Sequence, residues 1–204
     1  MTLEHALRGR TRYPGLVNPS IRNSNITLEY VSNAYDGFMN YFGTAELTLA
    51  FSNPCRTIGD RIAIFTASQI NNQDGTRLAY CATDHSLTES NGCSHTQNTS
   101  NAWWKIDFGI SKKINPKHIA LVGRATAGSH PRNFKLQGSN NNSDWDDLLT
   151  VVGEGPNNGT WWTSAITGSS AYRYLRIYQT GVNSDGYNYL VIGEIEFWGV
   201  VKQL

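Results

Sequence analysis

The chain has 204 residues, of which 16% are charged, and its formal net charge at pH 7 is +1. This balance provides no basic field for phosphates, so it excludes nucleic acid as the expected partner. The apolar runs are too short for a membrane span, and residues 1–5 lack the basic and apolar blocks of a signal peptide, so synthesis in the cytoplasm is expected. Polarity comes mainly from Asn, Gly, Ser and Thr, which suits sugar binding, protein contacts or simply many turns.

Residues 1–24 are predicted to form an extended N-terminal arm. Arginines alternate with small or polar residues in its first half, and Pro14 and Pro19 exclude a regular helix. Because the arm has no hydrophobic periodicity, we expect it to be ordered by packing. Its partner is either a neighbouring molecule, as an assembly contact, or its own domain, which is predicted to comprise residues 25–204.

The pattern from residue 25 onward is that of β-strands. Short apolar or alternating runs are separated by clusters of Gly, Asn and Asp, which is typical of an all-β sandwich or barrel. No helix is predicted beyond a turn or two within residues 77–85. The predicted strands cover residues 26–30, 45–51, 61–66, 103–108, 118–122, 133–137, 161–163, 172–178 and 193–198.

The hairpin within residues 129–151 is predicted as a strand, an Asn-rich turn and a second strand. Trp145 is expected to anchor the return strand in the core, and the neighbouring Asp146 and Asp147 are expected to be solvated. In residues 172–178, Leu175 and Ile177 share an aliphatic face. The opposite face carries Tyr172, Tyr174, Arg176 and Tyr178.

The late run at residues 192–198 alternates in the same way. Ile195 and Phe197 are expected to face the core, and Glu194 and Glu196 are expected to face solvent. These carboxylates are therefore interpreted as surface groups rather than as a catalytic pair.

The cysteine count is odd, since the chain contains Cys55, Cys81 and Cys93. Reduced, partly buried thiols are the expected state. A disulfide between Cys81 and Cys93 is an alternative, and so is a metal site in which His85 and His95 join these two cysteines, although the spacing matches no strong zinc pattern.

Five blocks of the sequence occur in a recognisable order. They are NAWWKIDFG (101–109), INPKHIAL (114–121), HPRNFKLQGSNNNSDW (130–145), YRYLRIYQTGVNSDGYNYL (172–190) and IGEIEFWG (192–199). Together they resemble the discoidin, or coagulation factor 5/8 C-type, family of galactose-binding-like domains, and are most similar to the branch found beside BTB and HECT modules. The similarity extends over roughly residues 27–199.

The resemblance implies a jelly-roll β-sandwich of about eight antiparallel strands without intrinsic catalysis. Members of the family bind glycans, phospholipid head groups or proteins through loops at one end. Two features depart from the family: no cysteines flank the domain for the usual disulfide, and the apolar cluster that could mimic a membrane-binding spike has Asp36 and no basic residues beside it. We therefore expect no membrane insertion. The cluster consists of Phe38, Met39, Tyr41 and Phe42.

Two loops supply candidate ligand-binding side chains, because sugars are held by aromatic faces and by polar groups that bond to hydroxyls. For Arg132 and Asn133, the alternative to ligand binding is a structural role at the start of a strand. For Tyr187 and Tyr189, the alternative is packing at the rim of the domain. The candidates are Arg124, His130 and Arg132 in the first loop, and Asn183, Asp185, Tyr187, Asn188 and Tyr189 in the second.

No catalytic motif is present in the sequence, so an enzyme is not expected. No metal or other cofactor is expected either, with a structural calcium ion at Asp36–Gly37 as the alternative. The sequence instead favours a non-catalytic, lectin-like recognition or structural module that acts in adhesion or in a larger particle, such as a phage or virus capsid-decoration or tail protein. Its expected partner is a glycan or a protein surface within an oligomer or assembly. The alternative is an intracellular adaptor domain that binds a protein or peptide.

Overall fold

The computed structural model describes residues 25–30, 36–43, 64–71, 77–86 and 93–204. The predicted arm, Cys55 and the predicted strand at residues 45–51 lie outside these residues. The helices are α1 (Phe38–Gly43) and a short 3-10 helix (Ala79–Thr83). The strands are β1 (Ile26–Leu28), β2 (Ile64–Ala67), β3 (Ser94–His95), β4 (Trp103–Asp107), β5 (Lys112–Val122), β6 (Asn133–Ser139), β7 (Asp146–Val152), β8 (Trp161–Ala165), β9 (Tyr174–Gln179), β10 (Val191–Ile192) and β11 (Glu194–Gln203).

Two antiparallel sheets build the domain. One has the order β2-β4-β9-β6-β7, the other has the order β1-β11-β5-β8, and a short ladder joins β10 to β3. Side chains from both sheets, such as Leu136 and Ile119, belong to one hydrophobic core. The prediction of an all-β sandwich is confirmed.

Alternation along β9 placed Leu175 and Ile177 correctly on the buried face of the sheet. Trp104 and Ile106 of β4 are fully buried as well, whereas Trp103 is half-buried and lies outside the core. Trp104 also satisfies its polar atom, since its Nε1 donates to the carbonyl oxygen of Ala79 at 2.8 Å. A buried indole N–H usually has such a partner.

The strand predicted at residues 118–122 is in fact β5, which begins at Lys112 and passes through Pro116. Proline lacks a ladder donor and is confined to edges or bulges. Here Pro116 lies opposite Gly199, where the register between β5 and β11 shifts. Gly199 has φ 143°, and a Cβ atom there would collide with the carbonyl oxygen of Asn115.

The expectation that Glu194 and Glu196 face solvent is wrong. Both are only 1% exposed. β11 is covered on its second face as well, because α1 and the 3-10 helix pack against it. Alternation along a strand indicates one solvated face only where nothing packs on that face.

Helix α1 was not predicted, and its apolar residues form no membrane-binding spike. Phe38, Met39, Tyr41 and Phe42 are at most 4% exposed, and they belong to the core. In the described residues, no helix has the length and hydropathy that crossing a membrane requires.

Glu196 holds α1 against β11. Its carboxylate oxygens accept hydrogen bonds from the backbone N–H groups of Met39 at 2.6 Å, Asn40 at 3.1 Å and Phe197 at 3.0 Å. Burial nevertheless raises the pKa of Glu196 to about 8. Burial and a hydrogen bond with Asp84 also raise the pKa of Glu194 well above its ordinary value.

Trp145 lies outside the core, contrary to prediction. It is half-buried on the outer face of the five-stranded sheet, where the Arg176 guanidinium lies 3.9 Å from its ring centroid. Asp146 and Asp147 are exposed, as expected. The Asn-rich turn therefore folds over the sheet surface instead of closing the core.

Candidate functional site

Four loops meet at one end of the sandwich, and this end is called the loop face below. They follow β3, β5, β7 and β9, and they comprise residues 96–102, 123–132, 153–160 and 180–190. The sequence indicated the second and fourth of these loops and missed the other two.

Direct hydrogen bonds join the two predicted loops. Asp185 accepts from the backbone N–H of Ser129 at 2.7 Å. The backbone of His130 accepts from the Ser184 N–H at 3.0 Å and donates to the Ser184 hydroxyl at 3.0 Å. The structure thus brings together the two groups of residues that the sequence proposed.

Two of the predicted residues, His130 and Arg132, join the loop after β7 to the loop after β5. His130 Nε2 lies 2.5 Å from Asn158 Oδ1. Arg132 Nη1 donates to the carbonyl oxygen of Pro156 at 2.6 Å, and its Nη2 donates to Asn157 Oδ1 at 2.5 Å. The Arg132 guanidinium therefore forms hydrogen bonds within the chain. This agrees with the structural role that was the alternative to ligand binding.

Asn183 organises the loop after β9. Its side-chain oxygen accepts from the backbone N–H groups of Asp185 at 3.0 Å and Tyr187 at 3.1 Å. Its Nδ2 donates to the carbonyl oxygen of Tyr189 at 3.2 Å. Because Asn183 is only 4% exposed, it shapes the loop from beneath.

The loop after β3 completes the frame. Asn98 Oδ1 accepts from the Asn188 N–H at 2.8 Å, and Thr96 Oγ1 accepts from the Leu190 N–H at 3.0 Å. Nothing in the local pattern of Thr96 and Asn98 marks them as site residues, because their role depends on pairing between distant segments.

Three rings form an aromatic platform on this frame: Tyr187, Tyr189 and His95. The tyrosine centroids lie 5.8 Å apart, and Tyr189 meets His95 edge-on at 5.0 Å. Tyr187 is 51% exposed, so its ring is available to a ligand. Burial, with the charges of Arg77 and Arg124 nearby, lowers the pKa of His95 to about 4, and His95 is therefore neutral at pH 7.

Arg124 lies at the edge of the loop after β5. Its Nε donates to the carbonyl oxygen of Gly128 at 3.0 Å, and its Nη2 donates to that of Ala127 at 2.8 Å. Nη1 has no hydrogen-bond partner within the described residues. Arg124 thus fixes the conformation of its own loop.

Two of the three cysteines lie among the described residues. Cys81 and Cys93 are both buried and neither is in a disulfide, which matches the expected reduced state rather than the disulfide alternative. No group of three or more His, Cys, Asp or Glu residues suited to a metal ion occurs in the described part of the chain.

At the Asp36–Gly37 turn, the Asp36 carboxylate accepts a hydrogen bond from Trp198 Nε1 at 2.9 Å.

Comparison with protein families identifies the domain. Residues 65–195 match the family model of the F5/8 type C domain. The chain is 29% identical over 179 residues to the E3 ubiquitin-protein ligase Ufd4 of Drosophila melanogaster, which covers 81% of the chain and 6% of that protein. It is 31% identical over 114 residues to the E3 ubiquitin-protein ligase hecd-1 of Caenorhabditis elegans, which covers 52% of the chain and 4% of that protein. The chain thus spans a small part of these curated relatives.

Solved structures share the fold at low identity. CpGH89CBM32-5 from Clostridium perfringens, in complex with GalNAc-beta-1,3-galactose, has a TM-score of 0.54 and 14% identity, covering 67% of this chain and 95% of that one. The fucolectin of striped bass (Morone saxatilis) serum has a TM-score of 0.56 and 20% identity, covering 68% and 47%. The lectin binding domain of Lectinolysin with Lewis b has a TM-score of 0.53 and 18% identity, covering 74% and 97%.

Proposed function

Because the chain belongs to the F5/8 type C domain family, we propose that it is a non-catalytic recognition module that binds a glycan at the loop face. The observation that carries the proposal is the aromatic platform, which is presented on loops fixed by hydrogen bonds. A ligand that meets a preorganised surface loses less free energy to ordering of the loops.

On this proposal, the predicted residues divide into a frame and a contact surface. His130, Arg132 and Asn183 form hydrogen bonds within the chain and hold the loops. The exposed Tyr187 ring is suited to the C–H face of a sugar ring. Hydroxyl groups would then bond to Arg124 Nη1 and to the remaining polar side chains of the loop after β9, namely Asp185 and Asn188.

A surface with one exposed platform and few free donors is expected to bind weakly. We expect dissociation constants on the order of 10⁻³ to 10⁻⁵ M for each site. Useful affinity would then come from several copies or sites acting together.

The test is a glycan array, followed by NMR titration with galactose, N-acetylgalactosamine and fucose. Tyr187→Ala is expected to weaken binding by about tenfold or more, because it removes the exposed ring. Ile110→Ala is the matched control, since Ile110 is 82% exposed in the turn between β4 and β5, at the opposite end of β5. Saccharide binding that survives Tyr187→Ala unchanged would contradict the proposed site.

A second candidate function is recognition of a protein or peptide, as an adaptor within a longer chain. It is favoured by the similarity to the ubiquitin ligases and by Val182, which is 43% exposed on the same loop as Tyr187. A blank glycan array, together with a protein partner whose capture is lost in Tyr187→Ala but not in Ile110→Ala, would favour it over the lectin function. The relatives give no support to a virion component.

A further inference from the structure

A second surface lies on the outer face of the five-stranded sheet, away from the core. We name it the cation face, and it consists of half-buried side chains on β4 and β9 with Trp145 above them. Its members are Trp103, Lys105, Trp145, Tyr174, Arg176 and Tyr178.

Two positive charges stand directly opposite each other at its centre. Lys105 of β4 and Arg176 of β9 are cross-strand partners. Like charges in this arrangement destabilise a sheet. Burial lowers the pKa of Lys105; the nearby Asp107 opposes this effect, and the charge of Arg176 adds to it.

Nearby cations have a carboxylate within ion-pair distance, whereas these two have none among the described residues. Arg173 is paired with Asp107 at 2.8 Å, and Lys135 is paired with Asp147 at 2.6 Å. Within the described residues, Lys105 forms no ion pair with a carboxylate. The same holds for Arg176.

Both cations are instead held by neutral groups. Lys105 Nζ donates to Asn142 Oδ1 at 2.7 Å, and Arg176 Nε donates to Gln137 Oε1 at 2.7 Å. The terminal amino groups of Arg176 have no hydrogen-bond partner in the part of the chain that the structure describes. N–H donors that are held in position but have no partner are suited to binding an anion, which would accept their hydrogen bonds.

Aromatic rings surround the cations. The Arg176 guanidinium lies 3.9 Å from the Trp145 centroid and 4.8 Å from the Tyr178 centroid. Lys105 Nζ lies 5.1 Å from the Trp103 centroid. Such contacts orient the charges and leave apolar ring surface beside them.

We propose that the cation face docks an acidic peptide segment of a partner protein. A partner carboxylate would bridge Lys105 and the terminal amino groups of Arg176. An adjacent apolar side chain of the partner would lie on Trp103 and Tyr178. The partner carboxylate would relieve the repulsion between the two cations at short range. Within the described residues, Asp107 and Asp147 offset these charges only from beyond ion-pair distance.

The first experiment is an NMR titration of the isotopically labelled full chain. The probe is the peptide acetyl-Asp-Glu-Leu-Asp-Glu-amide, and the uncharged comparison is acetyl-Asn-Gln-Leu-Asn-Gln-amide. The acidic peptide is expected to shift the indole signals of Trp103 and Trp145 and the Nε–H signal of Arg176, and binding should weaken as salt is added. Equal shifts with the uncharged peptide, or none with either, would overturn the proposal.

Matched variants assign the contact. Lys105→Gln and Arg176→Gln are each expected to weaken the acidic peptide about tenfold. Lys135→Gln removes the same charge from the same sheet, but Lys135 already has a partner in Asp147, so its effect should stay below about twofold. If Lys135→Gln weakens binding as much as the other two variants, the peptide is attracted by the overall positive charge of the sheet, and the docking site is refuted.

Two further measurements distinguish peptide docking at the cation face from simple anion binding and from binding at the loop face. If inorganic phosphate shifts the same NMR signals as strongly as the peptide does, the cation face binds simple anions and the peptide proposal is refuted. Tyr187→Ala should leave peptide binding unchanged, because the loop face is a different surface. Failure of the glycan test would therefore not affect this proposal, and a negative peptide result would not affect the glycan site.

Discussion

At the scale of single residues, the two glutamates of β11 show how burial changes chemistry. Glu196 is almost wholly buried and faces the first backbone N–H groups of α1. Burial raises its pKa to about 8, so the folded protein retains a proton that the unfolded chain releases near pH 4.5. Stability from this group is therefore fully present below about pH 4.5 and is lost as the pH rises towards about 8.

We predict that Glu196→Gln removes this pH dependence. The free energy of unfolding of the wild type, taken relative to that of the variant, should fall between about pH 5 and pH 8, by at most about 1.4 kcal/mol per pH unit. The variant should be less stable at the acidic end, because its amide nitrogen cannot accept from the helix N–H groups, and the difference should narrow as the pH rises. Urea denaturation over this range measures it. Glu154→Gln, an exposed loop variant, should keep the wild-type slope.

The same residues mark the limit of prediction from sequence. Alternation placed Ile195 and Phe197 correctly in the core, because it reports which side of a strand is apolar. It could not place Glu194 and Glu196, because the elements that cover them come from residues 38–43 and 79–83. Burial of a polar residue depends on what packs there, and a strand pattern carries no information about that.

At the scale of elements, the loop after β9 is a turn built around one amide. The Asn183 side chain accepts hydrogen bonds from two backbone N–H groups, one of them that of Tyr187, and donates one to a carbonyl oxygen. The sequence predicted the loop and its residue types. It did not separate the residue that holds the loop from the residues that are free to contact a ligand.

We predict that Asn183→Ala loosens this loop without unfolding the sandwich. Amide hydrogen exchange at Asp185 and Tyr187 should accelerate by about tenfold or more, because each N–H loses its acceptor. Asn188→Ala is the matched control, since its side chain makes no hydrogen bond within the described residues. Unchanged exchange in Asn183→Ala would show that the backbone alone maintains the turn.

At the scale of the whole molecule, the core shields its thiols. Cys81 is 6% exposed and Cys93 is 2% exposed. Burial raises the pKa of Cys93 to about 11, so the thiol stays protonated and unreactive at neutral pH.

We predict that these thiols report global opening of the domain. In a Cys55→Ser background, Ellman's reagent at about pH 7.5 should label the native protein only as fast as the protein unfolds. Labelling in denaturant should be complete within the mixing and reaction time. Rapid labelling of either cysteine under native conditions would contradict the shielding that the structure describes.

The pairing of β1 with β11 has a consequence for how the domain fits into a longer polypeptide. Ile26 lies opposite Val201, so the chain enters and leaves the sandwich side by side on one sheet. A module with adjacent entry and exit points can be spliced into a surface loop of a host protein without separating the flanking host segments. Such a cassette could be gained or lost during evolution as a single genetic unit while the host retains its own fold.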